Sequence, residues 1–152
     1  MTKNLNIYVA TMTGTALMVA DEIEELCKTE RINTNIVEMD ALEPKNLEDL
    51  NSPILIVSST YGQGDVPDGS KNFYNNLKSS KISLEHIKYA VFGLGDMTYK
   101  DTFAYGGKKF DHLFLELKAI RIGEPFYHDA SDGSLPEEEA VNWFKEKIFK
   151  LL

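Results

Sequence analysis

Cysteine, basic residues and long apolar runs are all scarce in this chain of 152 residues. The one cysteine, Cys27, excludes an intramolecular disulfide, and no grouping of cysteine with histidine indicates a zinc site. No apolar run approaches the roughly 20 residues of a membrane span, so we expect no membrane segment, no signal segment and a cytoplasmic location. The 16 Lys and Arg against 24 Asp and Glu leave a net charge of −8. That charge argues against nucleic acid or a membrane surface as partner and permits a basic protein partner.

Strand-like apolar runs alternate with helix-like stretches along the whole chain, which predicts one domain over residues 1–152. The predicted strands are residues 5–10, 35–39, 53–58, 88–94 and 121–127. The predicted helices are residues 15–29, 46–50, 68–79 and 107–118 and a last helix after Pro136. This alternation indicates a doubly wound α/β fold, a parallel sheet with helices on both faces. Such sheets bind ligands at the carboxyl ends of their strands, so the loops after the strands should carry the chemistry.

The first of these loops, residues 11–16, carries three threonines and one glycine just before a predicted helix. Hydroxyls and the unpaired backbone N–H groups of a helix start bind anions, because the helix dipole adds partial positive charge there. No Lys or Arg lies between Lys3 and Lys28, so a phosphate at this loop would be held by amides and hydroxyls alone. The simpler interpretation is a strand–turn–helix connection with threonine as the N-cap.

Two further loops each combine glycines with a tyrosine. After the third strand, Tyr61 is followed by Gly62 and Gly64, which let the backbone approach a ligand closely. After the fourth strand, a Gly-Leu-Gly-Asp sequence precedes Tyr99. Two tyrosines at neighbouring strand ends could enclose a flat conjugated ring by stacking. Each loop taken alone is more typical of a glycine-rich turn with a half-exposed tyrosine, but two such loops beside a phosphate-type loop at one sheet edge favour a ligand site.

Three motifs in these loops resemble those of the flavodoxin family. They are Thr-x-Thr-Gly-x-x at 11–16, Ser-Thr-Tyr-Gly-x-Gly-Asp at 59–65, and Phe-Gly-Leu-Gly-Asp with a following tyrosine at 92–99. The chain is similar over its whole length to short-chain flavodoxins of the MioC type and to the FMN domains of diflavin reductases. The resemblance implies a five-stranded parallel sheet in the order 2-1-3-4-5 and FMN as the cofactor.

The resemblance also implies which residues contact FMN. Its phosphate would lie against Thr11, Met12, Thr13, Gly14 and Thr15, and also Ala16, a position where the family often has a hydroxyl. Tyr61 and Tyr99 would stack on opposite faces of the isoalloxazine ring, and the Gly62 carbonyl would accept a hydrogen bond from the flavin N5–H. The rest of the implied set is Ser59, Thr60, Gly64, Gly93, Leu94, Gly95, Asp96, Phe103 and, from the stretch after the fifth strand, Asp132.

The implied function is electron transfer without a catalytic residue or a metal. A monomeric FMN protein would carry single electrons from a basic, flavodoxin-reductase-type donor to a separate acceptor enzyme. Six aspartates fall in or beside the predicted loops: Asp65, Asp68, Asp96, Asp101, Asp129 and Asp132. Acids near the flavin would lower its second reduction potential and steer a basic partner, although we expect at least half of them to be turn formers. The three histidines are scattered and indicate no general base.

Three other functions compete with electron transfer. A response-regulator receiver would need an acidic cluster after the first strand, where this chain has Thr11 and Met12. A nucleotide-binding phosphatase is disfavoured because the phosphate-type loop lacks a Walker lysine. A small FMN-dependent NAD(P)H quinone or azo reductase remains the alternative, although stacking on both ring faces would leave little space for a nicotinamide.

Overall fold

The computed structural model describes residues 3–152 and consists of a parallel sheet flanked by helices. The strands are β1 (Lys3–Ala10), β2 (Ile32–Glu38), β3 (Ile54–Ser58), β4 (Lys88–Gly95), β5 (Ile120–Arg121) and β6 (Phe126–Asp129). The helices are α1 (Thr15–Thr29), α2 (Lys45–Glu48), α3 (Lys71–Ser80), α4 (Tyr105–Glu116) and α5 (Pro136–Trp143). The sheet order is β2-β1-β3-β4-β5, with β6 also paired to β4, which confirms the predicted order 2-1-3-4-5.

The predicted fifth strand, residues 121–127, is wrong as a single element. It is divided into β5 and β6, which pair with β4 separately. The break contains Gly123 at φ 71°, where an added Cβ would lie 2.6 Å from Ile148 Cδ1, and Pro125, which has no N–H to donate to a ladder. The Glu124 carbonyl in this break accepts a 2.9 Å hydrogen bond from Trp143 Nε1 instead. Packing against the last helix therefore interrupts the edge of the sheet.

Two apolar layers hold the helices against the sheet. Side chains alternate along β1, so Ile7 packs with α1 and α5 on one face while Tyr8 packs with α3 and α4 on the other. All five residues of β3 are buried, as expected for a central strand covered on both faces. Cys27 is also fully buried, as a small apolar side chain of α1. Its burial, and to a lesser extent the nearby Glu24 carboxylate, raises the pKa of its thiol to about 12.

A buried polar group fixes the short strand β5. Tyr89 on β4 donates a 2.7 Å hydrogen bond to Asp111 Oδ1 on α4, and Arg121 on β5 donates one of 2.9 Å to the other carboxylate oxygen. These charge-assisted bonds tie three elements together where only two residue pairs of β5 reach β4. Among residues 3–152, no helix is long and apolar enough to cross a membrane.

Candidate functional site

A cleft of about 540 Å³ opens at the carboxyl ends of the strands. Its walls come from the loops after β1, β3, β4 and β6 and from the first turn of α5. The cleft brings together ten of the residues implied by the motifs: Met12, Thr13, Thr15, Ser59, Thr60, Gly62, Leu94, Gly95, Asp96 and Tyr99. Three loops that are separate in sequence therefore meet at one site.

The loop before α1 leaves the helix start open toward the cleft. Gly14 is the N-cap at φ 93°, and no side chain within residues 3–152 caps this end of the helix. Thr11 instead accepts a 2.9 Å hydrogen bond from the Gly14 N–H, which closes the loop, so the interpretation of threonine as N-cap is wrong. The first backbone bond of the helix runs from the Met18 N–H to the Gly14 carbonyl. The N–H groups ahead of it are free to bind an anion.

Two of the three threonines of this loop line the same opening, but Ala16 does not. Thr13 and Thr15 both line the cleft, and their Oγ1 atoms lie 3.4 Å apart. The Ala16 side chain is fully buried in the layer beneath α1. Ala16 can therefore contribute to the site only through its backbone N–H, while Thr11 and Gly14 shape the loop without lining the cleft.

Thr60 anchors the loop after β3. Its Oγ1 donates a 2.9 Å hydrogen bond to the Leu94 carbonyl and accepts one of 3.0 Å from the Gly106 N–H. The Ser59 N–H donates to the Ala10 carbonyl at 2.8 Å. One hydroxyl thus joins the ends of β3 and β4 to the start of α4, which fixes the floor of the cleft.

Tyr61 lies outside the cleft, although its neighbour Gly62 lines it. Two backbone hydrogen bonds between Tyr61 and Asp65, at 2.8 and 2.9 Å, close a tight loop in which Gly62 and Gly64 both have positive φ. The Tyr61 ring is 41% exposed, and the Lys71 Nζ lies 5.6 Å from its centroid. The structure therefore brings one of the two predicted stacking tyrosines into the cleft and leaves the other at its rim.

Tyr99 lines the cleft from the loop after β4 and is 63% exposed there. Asp96 accepts a 2.8 Å hydrogen bond from the Thr98 N–H, which caps the turn that carries Tyr99. An added Cβ on Gly95 would lie 2.5 Å from the backbone nitrogen of Ala104, so close packing of this loop requires glycine there. The loop is consequently held in shape while the tyrosine ring stays accessible.

Four other implied residues lie away from the cleft lining: Gly64, which belongs to the tight loop of Tyr61, and Gly93, Phe103 and Asp132. The Cα of Gly93 faces the layer under α4, where an added Cβ would lie 2.6 Å from the Tyr127 ring. The Phe103 ring lies 5.2 Å from the Lys108 Nζ and not in the cleft. The Asp132 carboxylate accepts a 2.7 Å hydrogen bond from the Ser134 N–H and forms a local turn.

The wall made by the chain after β6 was predicted only in part, because the stretch after the fifth strand was expected near the flavin but Asp132 alone was named from it. The lining residues that were not named as contacts are Met18, Thr102, Ala104, His128, Ala130, Ser134, Leu135, Pro136 and Glu137. His128 reaches the site because β6 aligns it with Leu94 of β4. Its Nε2 lies 2.8 Å from the Ser134 hydroxyl, and the side chain is nearly fully buried, so this histidine is held by packing. Met18 lies one helical turn after Thr15, and this spacing was the available signal.

The cleft itself contains fewer acids than the loop sequences suggest. Its charged lining residues, within the part of the chain that the structure describes, are Asp96 and Glu137. Asp65 forms ion pairs with Lys109 at 3.1 Å and Lys71 at 3.5 Å. Partial burial alone would raise the pKa of Asp65, but the Val66 N–H and these lysines together lower it. Of the predicted loop acids, Asp65 is therefore paired with lysines at the surface and does not face the cleft.

A second acid, Asp129, joins the turn after β4, which carries Tyr99, to the chain that follows β6. Its Oδ1 accepts hydrogen bonds of 2.9 Å from the Met97 N–H and of 2.7 Å from the Ser131 hydroxyl. These bonds lower the pKa of Asp129, and the bond from the Met97 N–H has the largest effect. Asp129 acts as an acceptor that orders the site, in agreement with its expected role as a turn former.

Comparison with known proteins agrees with the fold and the cleft. The family model described as Flavodoxin matches residues 7–144. Flavodoxin YqcA of Escherichia coli (strain K12) is 35% identical over 142 residues, which cover 93% of this chain and 94% of YqcA. The sulfite reductase flavoprotein alpha-component of Zymomonas mobilis is 33% identical over 149 residues, covering 97% of this chain and 23% of that protein.

A solved structure points the same way. The structure of a mutant flavodoxin from Pseudomonas aeruginosa has a TM-score of 0.82 at 28% identity, covering 94% of this chain and 95% of that one. This chain belongs to the flavodoxin family. The resemblance drawn from its three loop motifs is thereby confirmed, including the relationship to the flavoprotein component of a diflavin reductase.

Proposed function

We propose that this protein binds FMN in the cleft and carries single electrons between a separate reductase and an acceptor enzyme. The observation that carries the proposal is that the two ends of the cleft differ in chemistry. One end is an uncapped helix start with two threonine hydroxyls, and the other end is bordered by Tyr99 and glycine-containing backbone. A terminal phosphate suits the first end and a flat aromatic ring suits the second.

At the phosphate end, the backbone N–H groups at the start of α1 would bind the phosphate oxygens. Thr13 and Thr15 would add hydroxyl donors, and Gly14 at φ 93° keeps the loop clear of side chains. Within residues 3–152, no Lys or Arg lines the cleft. Amides and hydroxyls supply enough donors for a monophosphate, because the helix dipole adds to each of them.

At the ring end, Tyr99 would stack on one face of the isoalloxazine. Tyr61 is proposed for the opposite face, which requires its ring to leave Lys71 and turn inward past Gly62. The Gly62 carbonyl would accept a hydrogen bond from the flavin N5–H, since a glycine allows this peptide to reorient. Bound FMN supplies the one-electron chemistry, and the protein supplies orientation and electrostatics.

Two properties of the chain suit a carrier. Its net charge of −8 favours association with a basic donor through long-range attraction, which raises the association rate at low salt. Its 152 residues match nearly the whole of a stand-alone flavodoxin such as YqcA. We further propose that the chain works as one domain, as a monomer and in the cytoplasm.

The experiment that tests the carrier role supplies electrons with and without a reductase. Protein loaded with FMN is mixed with NADPH or NADH under anaerobic conditions, and flavin absorbance is followed over time. Slow or no bleaching with either nucleotide alone, and rapid bleaching once a trace of flavodoxin reductase is added, supports the proposal. Rapid bleaching by nucleotide alone would favour the quinone or azo reductase alternative.

A further inference from the structure

Glu137, in the first turn of α5, lines the cleft and carries a buried atom for which the fold provides no partner. Its Oε2 is buried without a hydrogen-bond partner anywhere in the described chain, residues 3–152. Glu137 also borders a shallow depression, separate from the cleft, formed with Glu22 of α1 and with Glu138, Val141 and Asn142 of α5. The side chain therefore lies where α5 packs beside α1 and the two helices together form one wall of the cleft.

An unpaired carboxylate oxygen in a buried position is unfavourable, so a native structure that retains one calls for an explanation. The cleft offers Glu137 no cation, because the other charged residue in its lining is Asp96, which already accepts a hydrogen bond from Thr98. No donor within residues 3–152 satisfies Oε2, and the occupant of the cleft is placed to supply one.

We infer that Glu137 accepts a hydrogen bond at Oε2 from a hydroxyl group of the ribityl chain of the flavin. The inference rests on the proposed function and assigns Glu137 to the ribityl chain, the part of the flavin between the ring and the phosphate. A phosphate monoester is anionic and would repel this carboxylate. The flavin ring presents its N–H at the edge that is distant from the phosphate. Glu137 lies against α1, and the start of α1 would bind the phosphate. The ribityl hydroxyls are donors that lie between these two parts.

The experiment compares three flavins that differ by one part each. FMN has ring, ribityl chain and phosphate; riboflavin lacks the phosphate; lumiflavin lacks the ribityl chain as well. Dissociation constants of all three are measured by flavin fluorescence quenching for the wild-type protein and for Glu137→Leu, Glu137→Gln and Glu138→Leu. Glu138 is the matched control, because it is exposed, occupies the same helical turn and does not line the cleft.

The inference predicts a pattern that depends on the ribityl chain. Glu137→Leu should weaken riboflavin binding by about 10-fold, which corresponds to about 1.4 kcal/mol, and leave lumiflavin binding unchanged. Glu137→Gln keeps an acceptor oxygen and should weaken riboflavin less, while Glu138→Leu should change neither. Unchanged riboflavin binding in Glu137→Leu, or an equal loss for riboflavin and lumiflavin, would overturn the inference. A wild-type protein that binds none of the three flavins would overturn the proposed function instead.

Discussion

Asp129 and Met97 lie on different loops and are joined by a 2.9 Å hydrogen bond from the Met97 N–H to the Asp129 carboxylate. The bond links the chain after β6 to the turn after β4, so two walls of the cleft share one contact. Removing the acceptor in Asp129→Ala should loosen the turn that carries Tyr99 and weaken FMN binding severalfold, as measured by fluorescence titration. Asp101→Ala is the control, since Asp101 is an exposed acid in the same turn. Equal effects of the two changes would contradict a special role for the link.

The same bond makes a prediction about pH. Because the hydrogen bonds from Met97 and Ser131 lower the pKa of Asp129, its stabilising contribution is fully present above the ordinary carboxyl pKa of about 3.9. That contribution is lost only as the pH falls through the lowered value. The Met97 amide chemical shift, followed by NMR during an acid titration, should therefore change with a midpoint below about 3.9. A midpoint at or above this value would show that the bond is not formed in solution.

Tyr99 is expected to contribute directly to FMN affinity. Tyr99→Ala removes the ring area that FMN would cover and the stacking interaction, so FMN binding should weaken by about 10-fold or more. Tyr99→Phe keeps the ring and should bind nearly as tightly as the wild-type protein. Isothermal titration calorimetry measures both variants, and an unchanged affinity for Tyr99→Ala would show that this ring does not contact FMN.

Gly95 is expected to tolerate no side chain. A Cβ there would lie 2.5 Å from the Ala104 nitrogen, and a backbone atom cannot move aside as a flexible side chain can. Gly95→Ala should lower the free energy of unfolding by about 1–3 kcal/mol in urea titrations. Gly69→Ala is the matched control, because the nearest atom to its added Cβ is 3.9 Å away. Comparable losses in the two variants would rule out the clash at Ala104 as the cause.

Thr60 should be more important for stability than its position in a loop suggests. Thr60→Val keeps the shape of the side chain but leaves the Gly106 N–H and the Leu94 carbonyl without their shared hydroxyl. We expect a loss of about 1–3 kcal/mol in the free energy of unfolding. Thr98→Val, at an exposed position, should cost much less. A neutral Thr60→Val would mean that water replaces the hydroxyl.

Local signals were sufficient to predict the elements that depend on few contacts. Apolar residues spaced by three and four predicted α1 as residues 15–29, which are its observed bounds. The continuous apolar run of β3 predicted a central strand. The broken edge had a local signal in Gly123 and Pro125, which the prediction of one continuous strand over residues 121–127 overlooked. The contacts of this break with Ile148 and Trp143 come from a part of the chain distant in sequence.

The site was predictable where it is made of loops directly after strands, since parallel strands place those loops together. The position of the Tyr61 ring was not, because Lys71 from α3 lies over it. Glu137 was not predicted either, although it lies in the first turn of α5, the helix that follows β6. Residues placed by contacts between distant elements leave no pattern in the sequence around them.

The most direct test of the central claim is reconstitution with FMN followed by stepwise reduction. The purified protein is freed of flavin, titrated with FMN, and then reduced with measured amounts of dithionite while its visible spectrum is recorded. The account predicts a yellow protein that binds one FMN per chain and is reduced in two separate one-electron stages. A protein that stays colourless and leaves FMN fluorescence unchanged throughout the titration would contradict it.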